Sequence, residues 1–239
     1  MSAGSSTLRI FSPAGALRSA VPLRRAAARL AALGFAVEID DAATARVQRF
    51  AGDDDARLAT LARVAAARPS VALATRGGYG LTRLLDRIDW KRIARSVDAG
   101  TRWVGMSDMT SLQLGLLAHA GGVTWAGPLA CEDFGRSANE GGADDVTQDC
   151  FVEAMSGELE AVGFRTEKGF DGLAVGGTLW AATSRSSTRC SRRRTGRASA
   201  AASSSSRTST SIRIASSATC CSCTRRACST RRRRSSSAR

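Results

Sequence analysis

Residue 181 divides this chain into two polypeptides of different physical character. Residues 1–180 hold all 21 acidic residues and 20 of the 35 basic ones, which leaves them at −1. Residues 181–239 hold 15 Arg, no Lys and no acid. The chain's net +14 is therefore a property of the tail alone. That tail also has 18 Ser and no Leu, Val, Phe or Trp. It lacks the apolar surface needed to offset the entropy cost of ordering a chain. A uniformly basic globular protein is excluded. The expectation is a near-neutral folded body over 1–180 and a disordered Arg/Ser-rich tail over 181–239.

Other classes are excluded quickly. No run of about 18 apolar residues is present, so no membrane span is expected. The first residues lack a basic segment leading into an apolar one, so no secretory leader is expected. The cytoplasm is the expected compartment. Cys131 and Cys150 are the only cysteines of the body, and free thiols are expected there. Cys220, Cys221, Cys223 and Cys228 in the tail lack paired spacing and a histidine. No metal site is expected from them.

Short apolar runs predict strands at 7–11, 35–39, 71–75, 103–105 and 123–126. Helical spacing covers 23–33, where Leu23, Ala26, Ala27, Leu30 and Leu33 share a face. Gly34 closes that helix. Further helices are predicted at 53–67, ended by Arg68-Pro69, and at 109–119, ended by Gly121-Gly122. Another begins at 81–85. Residues 128–150 read as loop, 149–159 as helix, and 172–180 as a strand entering a second domain. Strands alternating with helices give an α/β fold, a parallel sheet with helices on both faces. The expected division is an N-terminal α/β domain at 1–130, then a linker and the start of a C-terminal domain at 131–180. Ligands on such sheets bind at the carboxyl ends of the strands.

Two segments occupy those ends. Arg76-Gly77-Gly78-Tyr79-Gly80 lies between a strand and a helix. Its glycines allow backbone N–H groups close to a ligand, or simply make a turn. It is neither a dinucleotide fingerprint nor a Walker loop. Val104-Gly105-Met106-Ser107-Asp108-Met109-Thr110 also joins a strand to a helix. A serine on such a turn is either a nucleophile elbow or a helix N-cap with Asp108 in the first turn.

These segments, taken together, resemble the LD-carboxypeptidases. That serine peptidase family includes muramoyl-tetrapeptide carboxypeptidase and the microcin C self-immunity peptidase. The resemblance runs in order through Phe11-Ser12-Pro13-Ala14-Gly15 and Arg49-Phe50-Ala51-Gly52-Asp53 with Asp55, Arg57 and Leu58. It continues through the glycine loop, Arg83-Leu84-Leu85-Asp86, Ile88-Asp89, the Ser107 segment and Gly127-Pro128. Met106 stands where the family usually has an aromatic. The resemblance implies that Ser107 is the nucleophile. It implies an oxyanion hole from the backbone N–H groups of Asp108 and of Gly78 or its neighbour Gly77. Arg76 and Tyr79 would line the cleft. No metal or cofactor is implied, and a homodimer is. The substrate implied is a murein peptide, cleaved between the L-centre of meso-diaminopimelate and a terminal D-alanine. A microcin-type substrate is the alternative within the family.

The chain departs from the family where the base is needed. The family's catalytic glutamate and histidine both belong to its C-terminal domain. The only histidine here is His119, 12 residues beyond Ser107 and about 18 Å away along a helix. It reads as a helix C-terminal cation. No acid follows Asp171. The chain as written is therefore expected to be inactive. A different class of function is a degenerate α/β body with a nucleic-acid-binding tail. The tail has no aromatic for base stacking, so no specific nucleic acid is expected.

Arginine without lysine points instead to GC-rich codons read out of frame. If one base was lost near codons 180 and 181, the last two bases of each restored codon are the first two of the written one. Ala181-Ala182-Thr183-Ser184 then permits Gly-Gly-Asn-Leu. Residues 207–218 permit Glu-Asp-Val-Asn-Glu-His-Pro-Tyr-Arg-Ile-Glu-Arg. That run resembles the family's segment bearing the catalytic glutamate, which falls at Arg207. The histidine is expected beyond Arg239.

Overall fold

The computed structural model describes residues 6–159 and the strand segments Thr178–Ala181 and Ile212–Ala215. The apolar runs build one sheet: β1 (Thr7–Phe11), β2 (Ala36–Ile39), β3 (Val71–Ala74), β4 (Arg102–Gly105) and β5 (Trp125–Ala126). Its order is β2-β1-β3-β4-β5, and every neighbouring pair is parallel. All four residues of β3 are buried, as a strand covered on both faces requires. The chain forms the α/β fold that its alternation predicts.

Residues two apart on a strand share a face. Leu8 and Ile10 of β1, Val71 and Leu73 of β3, and Val104 of β4 pack with α1 (Val21–Ala32) through Leu23 and Leu30. Phe151 and Met155 of α5 (Asp145–Ser156) complete that cluster. On the other face Phe11 meets Trp103 edge-on, with ring centroids 5.3 Å apart. The Trp103 Nε1–H donates to Ser96 Oγ at 2.9 Å. That bond ties the sheet to α3 (Trp90–Asp98). Asp53 caps α2 (Asp54–Ala67), its carboxylate accepting the Ala56 N–H at 2.8 Å.

Three predicted segments differ. The helix expected from 81–85 is a single 3₁₀ turn, Leu81–Arg83. The true helix is α3, capped by the Asp89 carboxylate on the Arg92 N–H. Its periodicity is hidden in the sequence because its buried positions are only Ile93 and the polar Ser96. The predicted loop at 128–150 contains a π-helical turn, Ala130–Phe134, a 3₁₀ turn, Ala138–Glu140, and the start of α5. The Asp144 carboxylate starts α5 four residues earlier than expected by accepting the Thr147 N–H at 2.7 Å. The first compact unit runs to Val162. Ala130, Phe134, Phe151 and Met155 are part of its core.

The second unit is Gly163–Arg239. In it β6 (Thr178–Ala181) pairs antiparallel with β7 (Ile212–Ala215). β6 begins inside the strand expected at 172–180, whose first residues lie outside the described ones. β7 departs from the expected disorder of the tail over four residues. It contains Ile212 and Ile214, and β-branched residues suit an extended pleated backbone. The rest of the tail lies outside the described residues.

Candidate active site

Met106, Ser107 and Asp108 connect β4 to α4 (Met109–Ala120). Ser107 has φ +62°, in the left-handed region. An N-capping serine has extended backbone and accepts an N–H from the first helical turn. Ser107 lacks that backbone, and the cap position of α4 is Asp108. A non-glycine residue held in this conformation on a strand-to-helix turn is the geometry of a nucleophile elbow. Gly105 relieves the crowding below it. A Cβ there would lie 2.9 Å from Met109 Cγ and 3.1 Å from Ala74 Cβ.

The glycine loop that follows β3 closes on this elbow. A Cβ on Gly77 would lie 2.6 Å from Ser107 Cβ and 2.7 Å from its Oγ. Only glycine lets the two backbones approach this closely. Gly78, at φ +121°, faces Gly15 instead, its added Cβ 3.1 Å from the Gly15 Cα. The Gly15 N–H donates to the Gly77 carbonyl at 3.3 Å. Ser12, four residues after Leu8, anchors the same turn: its Oγ donates to the Ala43 carbonyl at 2.6 Å and lies 2.8 Å from Thr75 Oγ1. The sequence places Gly15 in a motif but assigns it no role, because its partner is 62 residues distant in the chain.

The packing at Gly77 makes a quantitative expectation. Gly77→Ala should cost about 1–3 kcal/mol by overpacking. Combining it with Ser107→Gly should recover most of that cost, since the clashing atoms are removed. Urea midpoints of the two single variants and the double variant measure this. Additive effects would show that the two residues do not collide.

Arg76 and Tyr79 flank the glycines differently. Arg76 Nη1 donates to the Ala16 carbonyl at 3.2 Å, and its Nε lies 3.5 Å from Glu132 Oε1. Burial raises the Glu132 carboxyl above its ordinary value, against the pull of Arg76. Burial, with Glu132 beside it, pushes the Cys131 thiol up to about 12. A thiol in that state stays protonated at neutral pH and is no nucleophile. Cys131 and Cys150 are both free thiols. Tyr79 is exposed and stacks on Phe50 with ring centroids 6.5 Å apart.

Phe50 rests in turn on a buried cation. Arg57 is fully buried, 4.8 Å below the Phe50 ring centre, and pairs with Asp54 at 2.5 Å. Arg83 also reaches Asp54, at 3.0 Å. Burial acts to raise the Asp54 carboxyl, but hydrogen bonds from Arg57 and Arg83 outweigh it and hold the carboxyl below its ordinary value. A lowered carboxyl contributes stability above its unfolded value and loses it as the pH falls through the folded one. Asp54→Ala should therefore lower the urea midpoint at neutral pH. Its deficit should shrink as the pH falls from the unfolded carboxyl value through the depressed Asp54 value, and be gone below it. A deficit unchanged in acid would locate the effect in packing rather than charge.

His119 lies in the last turn of α4, exposed, and stacks flat on Trp90 with centroids 5.1 Å apart. Ser107 precedes the opposite end of that helix. The structure therefore brings Ser107, Asp108 and Gly77 together, with Gly78 adjacent, and leaves the sole histidine elsewhere.

The profile of the LD-carboxypeptidase N-terminal domain matches residues 8–127. The chain belongs to the LD-carboxypeptidase family. A Streptomyces coelicolor protein provisionally named a carboxypeptidase is 39% identical over 92 residues, 37% of this chain and 28% of its own length. The crystal structure of muramoyltetrapeptide carboxypeptidase from Oxalobacter formigenes is similar at TM-score 0.54 and 31% identity. The match covers 63% of this chain and 48% of that one. A MccF-like protein from Bacillus anthracis is similar at TM-score 0.57 and 25% identity, over 63% of this chain and 44% of its own. The microcin C7 self-immunity protein shares the fold at 20% identity and TM-score 0.57, over 75% of this chain and 48% of its own. This chain thus spans about half the length of the solved LD-carboxypeptidase relatives it matches.

Proposed function

We propose that the chain is the nucleophile-bearing part of a cytoplasmic serine LD-carboxypeptidase that removes the terminal D-alanine of a murein tetrapeptide. The observation carrying this reading is Ser107, held left-handed at the end of β4 with its Oγ against Gly77. In the proposed reaction Ser107 Oγ attacks the scissile carbonyl carbon. The oxyanion that forms is stabilised by the backbone N–H groups of Asp108 and of Gly77 or Gly78. The C–N bond then breaks, D-alanine departs as the amine with a proton, and an acyl ester remains on Ser107. Water attacks that ester and releases the tripeptide acid.

Both proton transfers require a general base, which this polypeptide is not expected to supply. Its sole histidine is on the last turn of α4. Its last acid is Asp171. We propose that residues 181–239 are an out-of-frame reading of the segment that carries the glutamate. The nucleotide sequence tests this directly. AG-type codons at Arg207, Ser211 and Ser217, with an open frame starting one base upstream of each written codon from 181 to 239, support it. A CG-type codon at Arg207 or a stop in that frame overturns it. D-alanine release from a tetrapeptide by the frame-restored enzyme, lost in Ser107→Ala, tests the activity itself.

A further inference from the structure

The residue after the nucleophile does something that its position does not require. An aspartate at the start of a helix ordinarily turns its carboxylate onto that helix's own first N–H groups. Asp108 occupies the cap position of α4, yet its side chain makes no cap bond there. Its Oδ2 instead accepts the Leu81 N–H at 2.8 Å. Leu81 is the first residue of the 3₁₀ turn that leaves the glycine loop, and the bond is buried. The carboxylate reaches across from the elbow and holds the downstream end of the other loop.

The upstream end of that loop is fixed by β3, and its middle rests on Gly15. Gly77 lies against Ser107 between these anchors. A stretch with three glycines in five residues has little stiffness of its own. Its position relative to the nucleophile must therefore come from contacts of this kind. The fully buried Leu81 side chain adds packing but no direction. The charged acceptor adds both, because hydrogen bonds to ionised groups are short and strongly oriented.

We propose that the Asp108 carboxylate is a positioning residue that sets the glycine loop against Ser107. One residue then serves both halves of the oxyanion site, the elbow through its backbone and the loop through its side chain. The catalytic meaning of this rests on the acyl-transfer reading of Ser107, but the pinning itself does not. Misplacing donors by about 1 Å costs such a site about a hundredfold in rate, so the side chain acts without touching substrate.

Residue-resolved amide hydrogen exchange on the full 239-residue chain tests the pinning. Asp108→Ala should speed exchange of the Leu81 amide and of the loop from Gly77 to Gly80 about ten- to a hundredfold, the range for losing a bond to a charged acceptor. The amides of Ile10 and Leu73 in the central strands should be unchanged. Asp108→Asn keeps a neutral acceptor oxygen and should restore part of the protection. Three results each overturn the proposal. They are loop exchange unaltered in Asp108→Ala, no rescue by Asp108→Asn, and equal loss of protection in the central strands, which makes the role a general structural one. D-alanine release is not among these readouts. A failure of the hydrolytic reading and a failure of the pinning are thus separately visible.

Discussion

Purified 1–239 polypeptide is expected to release D-alanine from a murein tetrapeptide no faster than buffer does, and restoring the reading frame through the histidine expected beyond Arg239 is expected to raise that rate about a millionfold. The size follows from how a serine nucleophile works. Ser107 Oγ is a weak nucleophile until a base removes its proton, and losing the base of a serine hydrolase costs about that factor. In the proposed reaction the N–H groups of Asp108 and Gly77 would stabilise an oxyanion only after attack has begun. The elbow alone is therefore not expected to suffice. His119 cannot substitute, because α4 holds it on its last turn against Trp90. Single-turnover and steady-state release assays on both chains measure the difference. D-alanine release by the 239-residue chain that disappears in Ser107→Ala would sink the expectation and require a base on the body itself.

The largest effect on folding is expected at Trp103. Its side chain is fully buried. It packs edge-on against Phe11 and donates through Nε1 to Ser96 of α3. Trp103→Ala removes a large ring from a site that rigid strands cannot close, at a cost of about 3–5 kcal/mol. That approaches the whole stability of many domains. Trp103→Phe keeps a ring against Phe11 and loses the hydrogen bond, so it should cost less. Ser96 Oγ still donates to the Ile93 carbonyl at 2.6 Å in that variant. Urea titrations of the two variants rank them. Equal midpoints would show that the bond, not the ring, links the sheet to α3.

Where the local pattern was strong, the sequence and the structure agree closely. Residues 7–11 are β1 without revision, because alternating large apolar residues have one way to be buried on both faces of a sheet. Asp53 and Pro69 bracket α2 by local rules of capping and proline sterics. The helix at Trp90–Asp98 was illegible because Ser96 looks polar in a list of residues. Only the neighbouring strand shows that its hydroxyl faces a buried indole. The packing beyond residue 130 was illegible for a related reason. A polar, Gly-rich stretch reads as linker, while Phe134 and Phe151 meet across it at 5.1 Å and close the core.

The candidate site divides in the same way. The sequence by itself determined the parallel α/β order, the two loops at the carboxyl edge and the candidacy of Ser107. It also determined that His119 is the sole histidine, about a helix length from Ser107. It left Ser107 as either cap or nucleophile, because both need a small hydroxyl at a helix start. The left-handed backbone at Ser107 has the geometry of an elbow, and that is a tertiary fact imposed by β4 and α4 together. That Gly77 is the glycine against Ser107 was likewise decided in space. So was the reach of Asp108 to Leu81, 27 residues back along the chain. Local rules describe a residue's neighbours in sequence, and a loop-to-loop contact is fixed only when the sheet brings the two strand ends side by side.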